Sequence, residues 1–300
     1  MRASRRGGFA LVEGVAGLAI LFVITALQIP AIGQARERAR RAQCVNNLKQ
    51  MGLALHNYEA ANGTLPMSSV QGAGHGTGHS AFMAMIPYME QTPLYNAYNF
   101  SLENWDASNA TAVRTQVLTF LCPSMPDPAK RTPAIEVTNH RGQPYPGKST
   151  FAGGHYGVNW GGVREASGAK AFAAYKTPYS GMMVTVVDPD APKGTVLKTF
   201  KFAEITDGLS FTIMAAERRD GFGWAVGGWG GSEFDVNLVP NATVDDPAAR
   251  RAFTGSMHPG GINTLLGDGS VKFLKDDVIQ PVWYALTTRA GGEVFKGADF

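Results

Sequence analysis

Cysteine is scarce in this chain: two residues in 300, Cys44 and Cys122. They form no C-x-x-C pair, which argues against a zinc site. Charge is also sparse, at 17% of residues, with a formal net charge of +3. Three basic residues, Arg2, Arg5 and Arg6, stand ahead of everything else; without them 24 basic residues meet 24 acidic ones. That balance removes the electrostatic case for a nucleic-acid partner. Repeats and charged low-complexity tracts are lacking. So are a G-x-S-x-G elbow, a zinc-protease helix and a dinucleotide-binding fingerprint. Gly142 to Ser149 does spell a phosphate-binding loop. Pro144 and Pro146 remove backbone donors from it, and the residues after it do not read as the helix such a loop requires.

What the chain has is concentrated at its start. A short basic leader runs to Gly8, and Phe9 to Ile29 follows as an apolar run without Lys or Arg. As a helix, about 21 residues span roughly 31 Å, the thickness of a bilayer's hydrocarbon core. An ordinary secretory signal carries a shorter apolar core with small residues after it; here Gly7-Gly8 stands before it. Glu13 lies inside the run, and a carboxylate there costs on the order of 2.5–3.5 kcal/mol on insertion scales. Cleavage after Gly8 would create a partner for it, the new α-amine of Phe9, on a neighbouring copy.

These residues (Gly8, Phe9, Glu13 four positions on, and Pro30) resemble the type IV pilin and pseudopilin superfamily. The resemblance implies cutting after Gly8 by a prepilin peptidase and methylation of Phe9. It also implies a single-pass anchor in the bacterial cytoplasmic membrane and an exported head, in the periplasm or at the cell surface. Arg2, Arg5 and Arg6 favour a cytoplasmic N-terminus, whereas Arg36, Arg38, Arg40 and Arg41 pull weakly the other way and could meet lipid headgroups.

Beyond Pro30, expected to bend the helix, apolar residues recur at helical spacing: Ala35, Ala39, Ala42, Val45, Leu48, Gly52 and Leu55. Asn62-Gly63 supplies the stop. We therefore expect a leader at 1–8, one helix over 9–60 with a membrane half at about 9–29, and a head at 61–300. The expected fold is α+β, with an antiparallel sheet packed on the soluble half of the helix. In the head, Ala81–Tyr98 reads as short helices broken near Pro87 and Pro93, and Ala107–Phe120 as another helix. Val184–Val187, Thr199–Ala203 and Thr212–Ala216 read as strands. Residues 263–274 read as a hairpin around Asp268-Gly269, and Pro281–Thr288 as a short helix.

The stretch Arg41 to Tyr58 is similar to the stalk signature of a large pilin-like family, the domain of unknown function 1559. Further matches are Ile86 to Gln91, Leu94-Tyr95, Phe120 to Ser124, and Ile205-Thr206-Asp207-Gly208 to Thr212 followed by Glu217. The last is His258, then Asp268-Gly269 after nine residues. Met125 departs from the pattern, which usually has Asp there. The resemblance implies an envelope protein without an assigned activity.

In an exported head, Cys44 and Cys122 could form a disulfide or remain separate buried thiols. A bridge would close a loop of about 79 residues, worth about 4 kcal/mol on the chain-entropy model. His258 and Asp268 read first as structural; within hydrogen-bond reach of each other they would instead suggest catalysis. His75 and His79 stand in a glycine-rich loop. No cofactor is expected beyond a structural calcium, for which Asp188, Asp190, Asp276 and Asp277 offer oxygens without the EF-hand spacing. Trp160, Trp224, Trp229 and Tyr156 are core residues or, if exposed, a surface for carbohydrate or a partner. The expected function is a structural, non-enzymatic subunit of a type II secretion-like or type IV pilus-like assembly. Its partners would be prepilin peptidase, like subunits and the membrane. The alternative is a membrane-anchored binding module, for glycan, protein or DNA, that does not polymerise.

Overall fold

The computed structural model describes residues 7–71, 77–102, 104–125, 151–161, 180–184, 198–227, 232–243 and 253–293. Helix α1 runs unbroken through Pro30 from Gly7 to Asn62, 56 residues or about 84 Å. Gly63, in the left-handed region at φ 74°, ends it, its amide donating to the carbonyl of Glu59. Residues 12–23 are exposed, while Cys44, Leu48, Met51, Ala54 and Leu55 are fully buried. Among the described residues no helix is long and apolar enough to cross a membrane; the side chains of 7–11 and 24–31 are outside that description.

A two-stranded ribbon, β1 (Ser69–Gln71) and β2 (Thr77–Ser80), leads into helices α2 (Ala81–Met85), α3 (Thr92–Asn96) and α4 (Ala110–Arg114). The Ser80 hydroxyl caps α2 by accepting from the amide of Met83. A 3-10 turn containing Pro87 separates α2 from α3, as the proline positions require. The single helix expected over 107–120 is instead three short pieces. A 3-10 turn at Ala107–Asn109 leads into α4, Thr115 leaves helical geometry at ψ 125°, and a second 3-10 turn follows at Leu118–Phe120.

Among the described residues the main sheet has five strands in the order β5-β3-β4-β6-β7. These are β3 (Gly153–Asn159), β4 (Ile213–Gly223), β5 (Glu233–Phe234), β6 (Gly261–Leu266) and β7 (Val271–Lys275). Contrary to the expected all-antiparallel sheet, it is mixed, because β5 joins β3 in parallel. Helix α5 (Gln280–Leu286) follows. Residues 199–203 are not a strand: the segment turns into a 3-10 helix at Phe202–Glu204, whose Glu204 side chain accepts from the Lys201 amide. Val184 is likewise outside any strand, and 185–187 lie outside the described residues.

Both faces of the sheet are covered. Met214, Ala215 and Leu265 join the core built with α1 and the short helices. Ile213, Ala216, Ile262 and Leu266 join a second core with Trp283 and Leu286 of α5. On β6 the alternation is strict, as a strand's period of two demands. On β4 it breaks at the irregularity between Ile213 and Ala215. From there Ala215 and Glu217 share the face toward α1.

Candidate functional site at the stalk–head junction

The sheet meets α1 along β6, and the two ends of that strand grip the helix at two levels. After β6, Asp268 and Gly269 form the turn. The Asp268 carboxylate accepts from the Ser270 amide at 2.8 Å, and Gly269 adopts φ 79°. The Gly267 carbonyl lies 3.0 Å from His56 Nε2 on α1, and that imidazole stacks on Phe202. Between the two levels, a Cβ on Gly52 would come 2.9 Å from Leu265 Cδ1, so glycine there lets helix and sheet approach.

Before β6, His258 enters a pocket whose walls come from four parts of the chain. Its Nδ1 is 2.6 Å from Glu37 Oε1 of α1, and its Nε2 is 3.3 Å from Glu217 Oε1 of β4. The same Nε2 is 3.5 Å from Cys122 Sγ, and Cys122 is disulfide-bonded to Cys44 with Cα atoms 5.2 Å apart. Of the two readings of the cysteines, the bridged one is therefore the observed one. The His258 and Glu217 side chains are fully buried, and Glu37 is a quarter exposed.

The carboxylates are held from behind. Glu217 accepts from the amide and the side-chain Nδ2 of Asn263, both at 2.8 Å. Glu37 accepts from the Ser124 hydroxyl at 2.8 Å and pairs with Arg40 at 3.4 Å. Asn47 donates to the Leu121 carbonyl and to the Tyr156 hydroxyl. The Cys122 amide donates to His155 Nδ1. Arg41 lays its guanidinium 3.4 Å over the ring of Phe273.

With a carboxylate at each ring nitrogen, His258 is an imidazolium donating both ways. Burial alone would lower its pKa; the hydrogen bond and charge of Glu217, then those of Glu37, outweigh burial and raise it. Burial likewise works to raise Glu37, and the hydrogen bonds from His258 and Ser124 overcome it and hold that carboxyl low. Burial and then the charge of Glu217 push the Tyr156 hydroxyl well up. Burial lowers Arg41, opposed by the attraction of Glu217.

His258 and Asp268 thus lie at opposite ends of β6 with different partners, Glu37 and Glu217 for the one and Ser270 for the other. The catalytic arrangement is not formed. Thr206 is exposed, and Gly208 adopts φ 97°. Asp207 accepts from the amides of Gly291 and Gly292 at 2.6 and 2.8 Å, fastening the chain that leaves α5. Trp224 is buried, its indole donating to the Thr115 carbonyl, and Tyr156 and Trp160 are buried too. These are core residues, and Trp229 lies outside the described residues. His79 packs edge-on against Phe100; His75, the Gly142–Ser149 stretch, Asp188 and Asp190 lie outside the described residues. Asp276 accepts from Asn241 at 2.7 Å. Gly8 and Phe9 are in the first turns of α1, and Glu13 is exposed.

Sequence reasoning named His258, Glu217 and both cysteines but did not join them, and it missed Glu37. The one available signal for Glu37 is a lone acid among Arg36, Arg38, Arg40 and Arg41. Cys44, Cys122, Glu217 and His258 bring one ligand atom each to within 4.8 Å of one another, although no two come from neighbouring positions.

The family model described as a protein of unknown function, DUF1559, matches residues 33–280. The match takes in Glu37, both cysteines, Glu217 and His258, and begins after the apolar run. No curated protein and no solved structure matches the chain.

Proposed function

We propose that this chain, which belongs to the DUF1559 family by that match, is a pilin- or pseudopilin-like structural subunit of a secretion- or pilus-type envelope assembly. The observation that carries the reading is the division of α1. Its second half is built into the head, while residues 12–23 present exposed apolar side chains, among them Leu18, Leu21 and Phe22. Such a surface needs lipid or other helices around it. In this reading residues 9–29 anchor the chain in the cytoplasmic membrane, with the head exported. A prepilin peptidase cuts between Gly8 and Phe9. Glu13 then pairs with the α-amine of a neighbouring subunit's Phe9, in a medium where opposite charges attract strongly. The head supplies no reaction; its buried charges fasten it to the helix. Burial of Trp224 takes away part of the surface on which the binding-module alternative depends.

The test is expression of the full chain with and without prepilin peptidase, wild type beside Glu13→Ala. The expected result is an intact mass corresponding to methylated Phe9 only with the peptidase. Crosslinked oligomers should be present for wild type and lost for Glu13→Ala. An uncut chain, crosslinking no better than Glu13→Ala, would turn the reading to a singly anchored binding module.

A further inference from the structure

We infer that the stalk–head junction, in its dithiol form, is a four-ligand site for a divalent transition metal of the zinc type. The ligands are Cys44 Sγ, Cys122 Sγ, His258 Nε2 and Glu217 Oε1. All four residues are buried and their ligand atoms cluster within 4.8 Å.

Two of the distances already match those between the ligands of one metal ion. Zinc takes sulfur at about 2.3 Å, nitrogen at about 2.0–2.1 Å and carboxylate oxygen at about 2.0–2.2 Å, tetrahedrally. The edges of that tetrahedron are then about 3.5 Å from sulfur to nitrogen and about 3.3 Å from nitrogen to oxygen. Cys122 Sγ to His258 Nε2 is 3.5 Å, and His258 Nε2 to Glu217 Oε1 is 3.3 Å. The latter is long for a charge-assisted hydrogen bond, which runs about 2.7–2.9 Å.

The surroundings are those of a metal centre. A ligating histidine commonly donates its other ring N–H to a carboxylate, which fixes the tautomer and aims the lone pair; here Glu37 Oε1 takes that part at 2.6 Å. The ligating carboxylate is itself oriented, by two hydrogen bonds from Asn263. Two thiolates and one carboxylate balance the dication to a net charge of −1. The attraction between Arg41 and Glu217 works to offset it. Four separate elements supply the ligands, so the missing C-x-x-C spacing does not exclude the site.

Disulfide and ion are alternative occupants. The newly made chain carries two thiols. Metal binding releases their two protons and the proton on His258 Nε2, and no electrons move. Closing the disulfide transfers two electrons to an oxidised dithiol of the thiol–disulfide exchange class and expels the metal. His258 Nε2 takes up a proton again. Metal would thus hold head to stalk before oxidation as the crosslink does afterwards.

The test uses the full chain in detergent, reduced with a phosphine and titrated with Co²⁺ as the probe, while helix content is followed by circular dichroism. The expected result is one Co²⁺ per chain, with a thiolate-to-cobalt charge-transfer band and tetrahedral visible absorption, displaced by Zn²⁺. The oxidised chain should give no band. His258→Gln and Glu217→Gln should each weaken Co²⁺ binding at least tenfold and alter the visible spectrum, with Glu37→Gln weakening it less. Should reduction alone lower the helix content, recovery on adding one equivalent of Co²⁺ supports the site. A reduced chain that takes up no Co²⁺, folded or not, overturns it. So does a spectrum unchanged in His258→Gln and Glu217→Gln, which would mean capture by two thiolates alone. None of these readouts depends on assembly.

Discussion

One continuous helix serves two surroundings. Along residues 12–23 of α1 the exposed side chains include Val12, Val15, Leu18, Ile20, Leu21, Phe22 and Val23, each more than half accessible. Along the second half, Cys44, Leu48, Met51, Ala54 and Leu55 are fully buried, beside Asn47 and His56, which reach the Leu121 and Gly267 carbonyls of the head. Residues 12–23 are apolar but for Glu13, and none of their faces is buried. The second half is amphipathic, and its inner face is specified atom by atom, by a disulfide at Cys44, a hydrogen-bonded amide at Asn47 and a glycine at Gly52. The contrast teaches that backbone continuity does not imply uniform energetics. Packing resides in one half, and exposed apolar surface in the other.

The contrast breaks most sharply at Glu217. Glu217→Ala leaves the His258 imidazolium short of a carboxylate and the Asn263 donors unpaired. A loss of about 3–5 kcal/mol is expected for breaking a buried ion pair from one side, read as a lower denaturant midpoint. The two leucines sharpen it. Leu48→Ala should cost about 2–5 kcal/mol through lost burial and the cavity left behind. Leu18→Ala should move the head's unfolding midpoint by no more than about 0.5 kcal/mol, while reducing crosslinked oligomers. Equal effects of the two substitutions on head unfolding would erase the division. Gly52→Val overpacks the approach of α1 to Leu265 and should cost about 1–3 kcal/mol, with no counterpart at Gly17, around which nothing lies within 4 Å.

The smallest effects lie in pH. In the oxidised chain the raised pKa of His258 stabilises the fold fully below the unfolded value of about 6.5, and the gain fades as pH rises through the folded value. Around it stand Glu37, Arg40 and Arg41 of α1 and Glu217 of β4. His79 behaves oppositely: burial lowers its pKa, so its contribution is intact above about 6.5 and is lost as pH falls toward the folded value. Chemical unfolding at several pH values should show His258→Gln and His79→Gln tilting the stability profile in opposite directions.

How far the sequence announces this depends on whether the cause is local. Helical spacing, the Asn62-Gly63 stop, the Asp268-Gly269 turn and the prolines around α2 and α3 are local, and each is legible. The fourteen-residue run Ala107–Phe120 misleads because its apolar residues satisfy a helix period while Thr115 turns away. The parallel pairing of β5 has no signature at all, since two residues carry no periodicity. The site was legible only in pieces. Glu37 and His258 meet across 221 positions, and an acid among arginines reads as a solvated helix face until the fold places a histidine against it. The spacing between His258 and Asp268 is the instructive case. It invites a shared chemical role, yet its meaning is a length, the distance between two footholds on α1.

The Cys44–Cys122 crosslink also decides how the molecule carries load. A pull along the exposed half of α1 enters the head through a covalent bond at Cys44, before it reaches the helical turns between Cys44 and Asn62. Those turns and the contacts of Leu48, Met51 and Leu55 are then held in parallel with the bond and do not unzip one after another. Reduce the disulfide and the same turns fall into series with the pull, so that peeling starts at the Glu37–His258 contact and runs toward Gly63. In mechanical terms the crosslink turns a zipper into a rivet.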